Sequence, residues 1–252
     1  AADVAAGCTQ AGHIHQLRVG LRRLRTALRE LPGIAGLQAL DPTIEASLRA
    51  LFQVLGQHRD RATLVPALEA ALARAGAPPM AAWQPPLPDL PAAIRDPAFQ
   101  TALLALIVLV QELQEAPDDG SLKSARKTVA ARLRKLQYQV QRDGKRFAQL
   151  EEGKRHRVRK RLKRLRYLAQ LVRPLFAARE VDRFVRALES LQDALGEYQD
   201  ATTARALFEA RARQDPAAWF AVGWLAARER ELCARCEQAC RETADQAKPF
   251  WD

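Results

Sequence analysis

The stretch HQLRVGLRRLRTAL (15–28) aligns without a gap to HRVRKRLKRLRYLA (156–169). His15, Arg18, Arg22, Arg23, Leu24 and Arg25 thereby correspond to His156, Arg159, Lys163, Arg164, Leu165 and Arg166. A second pair follows in the same order. LFQVLGQHRDRAT (51–63) matches LQDALGEYQDATT (191–203), setting Leu55-Gly56 against Leu195-Gly196 and Asp60 against Asp200. The offsets are 141 and 140 residues, so the chain reads as an internal duplication, each half opening with a basic helix.

Apolar residues recur at helical spacing along the chain, and no stretch alternates with the period of a strand. Alanine and leucine dominate in place of β-branched runs, which predicts an all-α fold. Helices are expected at about 9–31, 42–57, 60–75, 97–115, 120–148, 153–178, 180–195, 198–213 and 216–246. Asp41-Pro42 and Asp96-Pro97 have the form of an N-cap followed by an N1 proline. Pro32-Gly33 and Asp118-Asp119-Gly120 read as breaks, and Gly56 and Gly196 as tight turns between helices. Residues 77–97 hold seven of the fourteen prolines and read as an extended crossover tied down by Trp83. The first half then covers about 9–116 and the second about 120–248, with 120–148 as a bridging basic helix. TALLALIVLV (101–110) falls short of the roughly 20 apolar residues of a membrane span and is expected to be a buried helix, with no membrane insertion.

The formal net charge is +11, and it is unevenly placed. Residues 121–173 contain nineteen Lys or Arg against three acids, a balance of +16 that leaves −5 for the rest. At 100° per residue, with His15 at 0°, Arg18, Arg22, Arg25 and Arg29 fall between about 280° and 340°. Leu17, Leu21, Leu24, Leu28 and Leu31 fall opposite, at about 160–240°. The second copy repeats this, with His156, Arg159, Lys163 and Arg166 on one stripe and Val158, Leu162, Leu165, Ala169 and Val172 across from it. The leucine face belongs in a bundle core. The stripe has almost no acids at i,i+4 and so carries repulsion that a bound polyanion would relieve. The helix around KSARKTVAARLRKLQYQV (123–140) adds Lys123, Arg126, Lys127 and Arg134. Arginine suits phosphate because its planar fork grips two oxygens at once.

HxxRVxxRRLRxxL near the start, HxxRKxxKRLRYxxQL in the second half and LQDxLGxYQDxxT after it resemble the CHAD domain, the conserved histidine α-helical domain. The resemblance spans essentially residues 1–252 as one domain of two repeats, with no accompanying CYTH (triphosphate-tunnel) domain. It implies two pseudo-symmetric four-helix bundles around a basic central groove. It also implies binding of long-chain inorganic polyphosphate and, in bacteria, association with polyphosphate granules. Carried over by position, the implied contacts are His15, Arg18, Arg22, Arg25, Arg29, Lys127, Arg134, His156, Arg159, Lys163 and Arg166. Additional candidates are Arg23, Arg59, Lys123, Arg126, Lys160 and Arg164. Gly20 stands where the second copy has Arg161. Arg59-Asp60 matches the family's Arg-Asp pair, whereas the second copy reads Gln199-Asp200, which puts a ligand role for position 199 in doubt.

Other chemistry is weaker in the sequence. Single-stranded nucleic acid is gripped by aromatic platforms, and residues 121–173 offer Tyr138, Phe147 and Tyr167 as their aromatics. Nucleic acid is therefore expected as a nonspecific ligand alone. Cys233, Cys236 and Cys240 sit at i, i+3 and i+7, one helix face, and read as buried thiols rather than as a metal site shared with Cys8. Asp60 and Asp200 read as helix caps or arginine partners, not phosphatase ligands. No nucleophile stands beside His15 or His156, and no glycine-rich phosphate loop appears, so a binding module without catalytic residues or cofactor is expected. The rivals are a polyphosphate hydrolase or kinase, or a nonspecific binder of nucleic acid or anionic surfaces. His13 reads as a solvated bystander, and the tryptophans as core or rim packing. Free thiols and the lack of a secretory-signal pattern point to the cytosol.

Overall fold

The computed structural model describes residues 10–34, 37–38, 40–80, 86–115 and 122–251; Cys8, Trp83 and the Asp118-Asp119-Gly120 break lie outside them. The described chain is helical with no strand. In order, the helices are α1 (Ala11–Glu30), α2 (Pro42–Arg59), α3 (Val65–Arg74), α4 (Leu90–Arg95), α5 (Pro97–Glu115), α6 (Leu122–Gly144), α7 (Glu152–Leu171), α8 (Ala178–Ala187), α9 (Glu189–Arg211) and α10 (Ala218–Gln246).

Two compact units result, one of residues 1–66 and 84–125, the other of 67–83 and 126–252. In the first, α1, α2, α4 and α5 close over Ile14, Leu21, Leu48, Leu51, Leu55, Leu90, Ile94, Phe99 and Leu106, with Leu17, Leu24 and Leu28 packed against them. The leucine face of α1 is thus spent on this core. Asp41 caps α2 by accepting from the Thr43 N–H at 2.7 Å, ahead of Pro42. Asp96 does the same for α5, accepting from Ala98 and Phe99 N–H at 3.0 and 3.1 Å. The Pro32-Gly33 break is present, with Gly33 at φ 77°, where a Cβ would be strained.

The second unit is built on α6 to α10. Val129, Leu133, Phe147, Val158, Leu162, Leu165, Leu168, Val181, Phe184, Leu191, Leu195 and Leu225 are fully buried. Each such side chain contributes about 1.5–3 kcal/mol. At the C-terminus, Trp251 packs on Phe184 and Phe250 at centroid distances of 5.1 and 4.8 Å. The Gln137 amide donates to the Ala247 carbonyl at 2.8 Å.

Several expectations are corrected. No break separates α2 from α3; residues Asp60–Leu64 form a π-helical segment that continues the helix, with the Val65 N–H bonded to the Asp60 carbonyl. Gly56 and Gly196 therefore lie inside helices, as do Asp60 and Asp200, and Asp60 meets Arg59 at 3.7 Å, an arginine partner rather than the cap of a following helix. The helix pair expected at 180–195 and 198–213 breaks instead at Leu188, because buried Leu191, Leu195 and Tyr198 keep α9 continuous through Gly196. The proline-rich crossover contains a short helix, α4, capped by Asp89 accepting from the Ala92 N–H at 3.0 Å. TALLALIVLV is helical but buried on one side only: Ala102 and Leu106 are buried, whereas Leu104 and Ile107 are 64% and 56% exposed, and Val108 and Val110 are also exposed. Pro97–Gln114 is the single helix among the described residues that is long and apolar enough to cross a membrane. His13 is half-buried rather than solvated, and Trp219 is 59% exposed.

Two glycines give opposite expectations. A Cβ at Gly196 meets nothing within 4 Å, whereas one at Gly144 would overlap the Cys240 thiol. Gly196→Ala is expected to raise stability by about 0.5–1 kcal/mol through helix propensity. Gly144→Ala should lower it by about 1–3 kcal/mol through overpacking. Urea denaturation of the two variants checks both signs.

Candidate anion-binding site

In the first unit the cations of α1 converge on Phe52 of α2. The guanidinium carbons of Arg18, Arg22 and Arg25 stand 4.5, 5.2 and 5.5 Å from its ring centroid, within the range of cation–π attraction. Arg18 is 9% exposed, and its Nη1 donates to the Phe52 carbonyl at 3.2 Å. A Cβ at Gly56 would lie 3.0 Å from that Nη1, so the glycine makes room for the buried guanidinium. Arg25 bonds Glu45 at 2.6 Å, and Glu45 also meets Arg49 at 3.7 Å. The stripe of α1 is therefore partly neutralised from α2. His15, Arg23 and Arg29 are exposed, Arg29 lying 3.8 Å from Glu30. Arg59 approaches Asp60 at 3.7 Å.

In the second unit α7 presents His156, Arg159, Lys163 and Arg166 opposite Val158, Leu162, Leu165 and Ala169, all buried. His156 Nδ1 bonds the Gln199 Oε1 at 2.5 Å. The Gln199 amide in turn donates to Thr202 and Thr203 hydroxyls at 3.2 and 3.4 Å. That orientation makes the histidine Nδ1 the donor and leaves Nε2 as the second ring nitrogen for a ligand. Arg166 Nη1 donates to Gln192 Oε1. Neither His156 nor Arg166 has a carboxylate partner among the described residues. They are oriented by neutral amides and keep their charge capacity. Arg159, Lys163 and Arg164 are half-buried and Lys160 is exposed on the same helix. Lys123, Arg126, Lys127 and Arg134 lie exposed on α6, with Arg126 5.2 Å from the Phe176 ring centroid.

Not every cation of the basic segment is available. Arg155 donates to the carbonyls of Phe147 and Ala148 at 3.0 and 2.6 Å and to the Tyr198 hydroxyl at 2.9 Å. It is a structural clamp. The sequence reading missed Phe52, Gln192 and Gln199 as the groups that set the stripes. Their signal was present, since Phe52 and Gln192 occupy aligned positions in the second motif pair. One stacks on the arginines of α1, and the other bonds the arginine of α7 that aligns with Arg25.

The remaining candidates are structural. Cys233, Cys236 and Cys240 are buried free thiols, and burial pushes Cys236 and Cys240 up to about 12 and about 11. The described residues hold no cluster of three or more His, Cys, Asp or Glu able to bind a metal. His58 bonds the Pro88 carbonyl at 2.8 Å, fixing α2 against the segment before α4.

Burial, and after it the charges of Lys160, Arg159 and Lys163, hold the His156 pKa below its ordinary 6.5, against the Gln199 hydrogen bond. The unfolded chain therefore takes this proton first. The stability contribution is complete above about pH 6.5 and is lost as pH falls from there through the folded value. Urea melts at pH 7.5 and 5.5 should show that loss in the free protein, and His156→Gln should shrink it.

The CHAD domain family model matches residues 2–209. A comparison with curated proteins finds no match. Among solved structures, the chain is similar to the crystal structure of the CHAD domain from the plant Ricinus communis, with 24% identity and a TM-score of 0.66. The match covers 92% of this chain and 82% of that one, and it fits the all-α architecture described above. The chain belongs to the CHAD domain family.

Proposed function

We propose that this chain binds long inorganic polyphosphate through the stripes of α1 and α7 and the cations of α6, as a binding or targeting module rather than an enzyme. The observation that carries the reading is the glutamine pairing on α7. His156 and Arg166 are held in place by amide oxygens, where a helix built for stability alone would use carboxylates. A ligand that supplies many negative charges along a row is the missing counterpart, and polyphosphate is such a ligand. It has no base to read.

His156 would act as a conditional donor. Free, it resists protonation; beside a phosphate oxygen it gains a proton and becomes a charged hydrogen-bond donor. Cytosolic location, with enrichment at polyphosphate granules where the cell makes them, follows from this reading as part of the proposal. Nucleic acid would compete weakly, through phosphate contacts alone.

Binding of long polyphosphate should weaken steeply with salt, by a slope that counts the phosphates neutralised. Arg22→Ala with Lys163→Ala is expected to lower that slope by about 2, roughly 1 for each cation removed. It should cost affinity for long chains without unfolding either core. Fluorescence titration across a salt series measures both. Normal binding by this double variant would overturn the assignment to the stripes. Absence of phosphate release with magnesium or manganese is the expected result for a module without catalytic groups.

A further inference from the structure

The basic segment carries a second cluster that the stripes do not use. At the corner where α6 ends and α7 begins lies a cleft of about 370 Å³, lined by Arg142, Asp143, Arg146, Lys154, Arg157 and Arg161 together with Leu150. On α7, with His156 at 0°, Arg157 and Arg161 fall at about 100° and 140°. Arg159, Lys163 and Arg166 fall at about 280–340°, on the far flank of the buried face. The two sets of cations therefore cannot bind one phosphate group together.

A single carboxylate organises the cleft. Asp143 accepts from Arg142 Nε at 2.8 Å and from Arg161 Nη1. The hydrogen bond from Arg142, and then the Arg142 and Arg161 charges and the Arg161 hydrogen bond, hold its carboxyl below the ordinary range despite partial burial. It stays ionised, so one charge of five is cancelled and two guanidinium groups are fixed in direction. Lys154 meets the exposed Glu151, at 3.3 Å. Arg146 and Arg157 are exposed and have no acidic partner among the described residues. Five cations and one lining acid around so small a volume repel one another until a compact, multiply charged anion enters. The volume is at the small end for ligand pockets, and the cleft sits at the N-terminal end of α7, whose dipole favours negative charge. The described lining holds no aromatic ring on which a base would stack.

We propose that this corner is a separate site for a short condensed phosphate with its charges close together, inorganic triphosphate in kind. Arg146, Arg157 and Lys154 move onto the ligand, and Arg142 and Arg161 receive it in preset positions. The site does not depend on the polyphosphate reading of the stripes.

Isothermal titration of the full chain with inorganic triphosphate, and in parallel with adenosine triphosphate, tests it. Arg146→Ala with Arg157→Ala is expected to weaken triphosphate binding at least about tenfold, the loss of one or more charge-assisted hydrogen bonds. Arg22→Ala with Lys163→Ala should bind triphosphate like the parent while losing long polyphosphate. Both replaced arginines are exposed, and the single variant Arg157→Ala, with an expected several-fold loss, stands in should the double variant melt early. Unchanged triphosphate affinity in the cleft variants, or an equal fall in the stripe variant, would overturn the separate site. Tighter binding of adenosine triphosphate than of inorganic triphosphate would overturn the ligand class; equal or weaker binding supports it.

Discussion

A helix that carries His156, Arg159, Lys163 and Arg166 along one side holds together only because its other side is sealed. Val158, Leu162, Leu165 and Ala169 are all within 1% of complete burial, so the apolar face supplies several kcal/mol against like-charge repulsion of a few tenths per pair. Packing wins by a wide margin. That imbalance is the physical basis of the site. The fold tolerates a row of positive charge because stability was obtained elsewhere, and the partners that orient the row can then be neutral. Gln199 and Gln192 show what this permits: His156 and Arg166 are each held by an amide oxygen rather than a carboxylate.

The two basic helices reach comparable arrangements by different chemistry. At aligned positions Phe52 takes three arginines onto one ring, whereas Gln192 takes one arginine by an amide oxygen. Glu45 then removes part of the charge on α1, and no carboxylate does so for His156 or Arg166 on α7. The likeness of the two motifs in sequence thus conceals an electrostatic asymmetry. On α7 it is His156 that a neighbouring side chain holds, through the Gln199 amide oxygen.

Much of this was legible in the sequence, for identifiable reasons. Helical periodicity, the Asp-Pro caps of α2 and α5 and the leucine face of α1 are local signals, and the structure follows them. The interior placement of Gly56 and Gly196 was not legible. A glycine reads as a break until one knows that Arg18 needs the space above Gly56, or that Leu191, Leu195 and Tyr198 bury α9 on both sides of Gly196. The wheel put Arg18 on the basic stripe, yet its burial under Phe52 depends on a residue 34 positions away. The exposure of α5 was hidden for the same reason, since an apolar run does not say which neighbour covers it. The corner cluster around Asp143 escaped because it joins two helices at flanks that a single wheel treats as ordinary surface.

The open face of α5 has a consequence for how this molecule behaves in concentrated solution. Leu104, Ile107 and Val108 form an uncharged strip on a chain of net charge +11, and mutual repulsion of the whole molecules is what keeps such strips apart. At 0.15 M salt that repulsion reaches only about 8 Å, and excluded salts such as sulfate strengthen apolar contact further. Colloidal stability is then lowest at high ionic strength. A dispersed state at high ionic strength therefore rests on dilution, not on the protein's own charge.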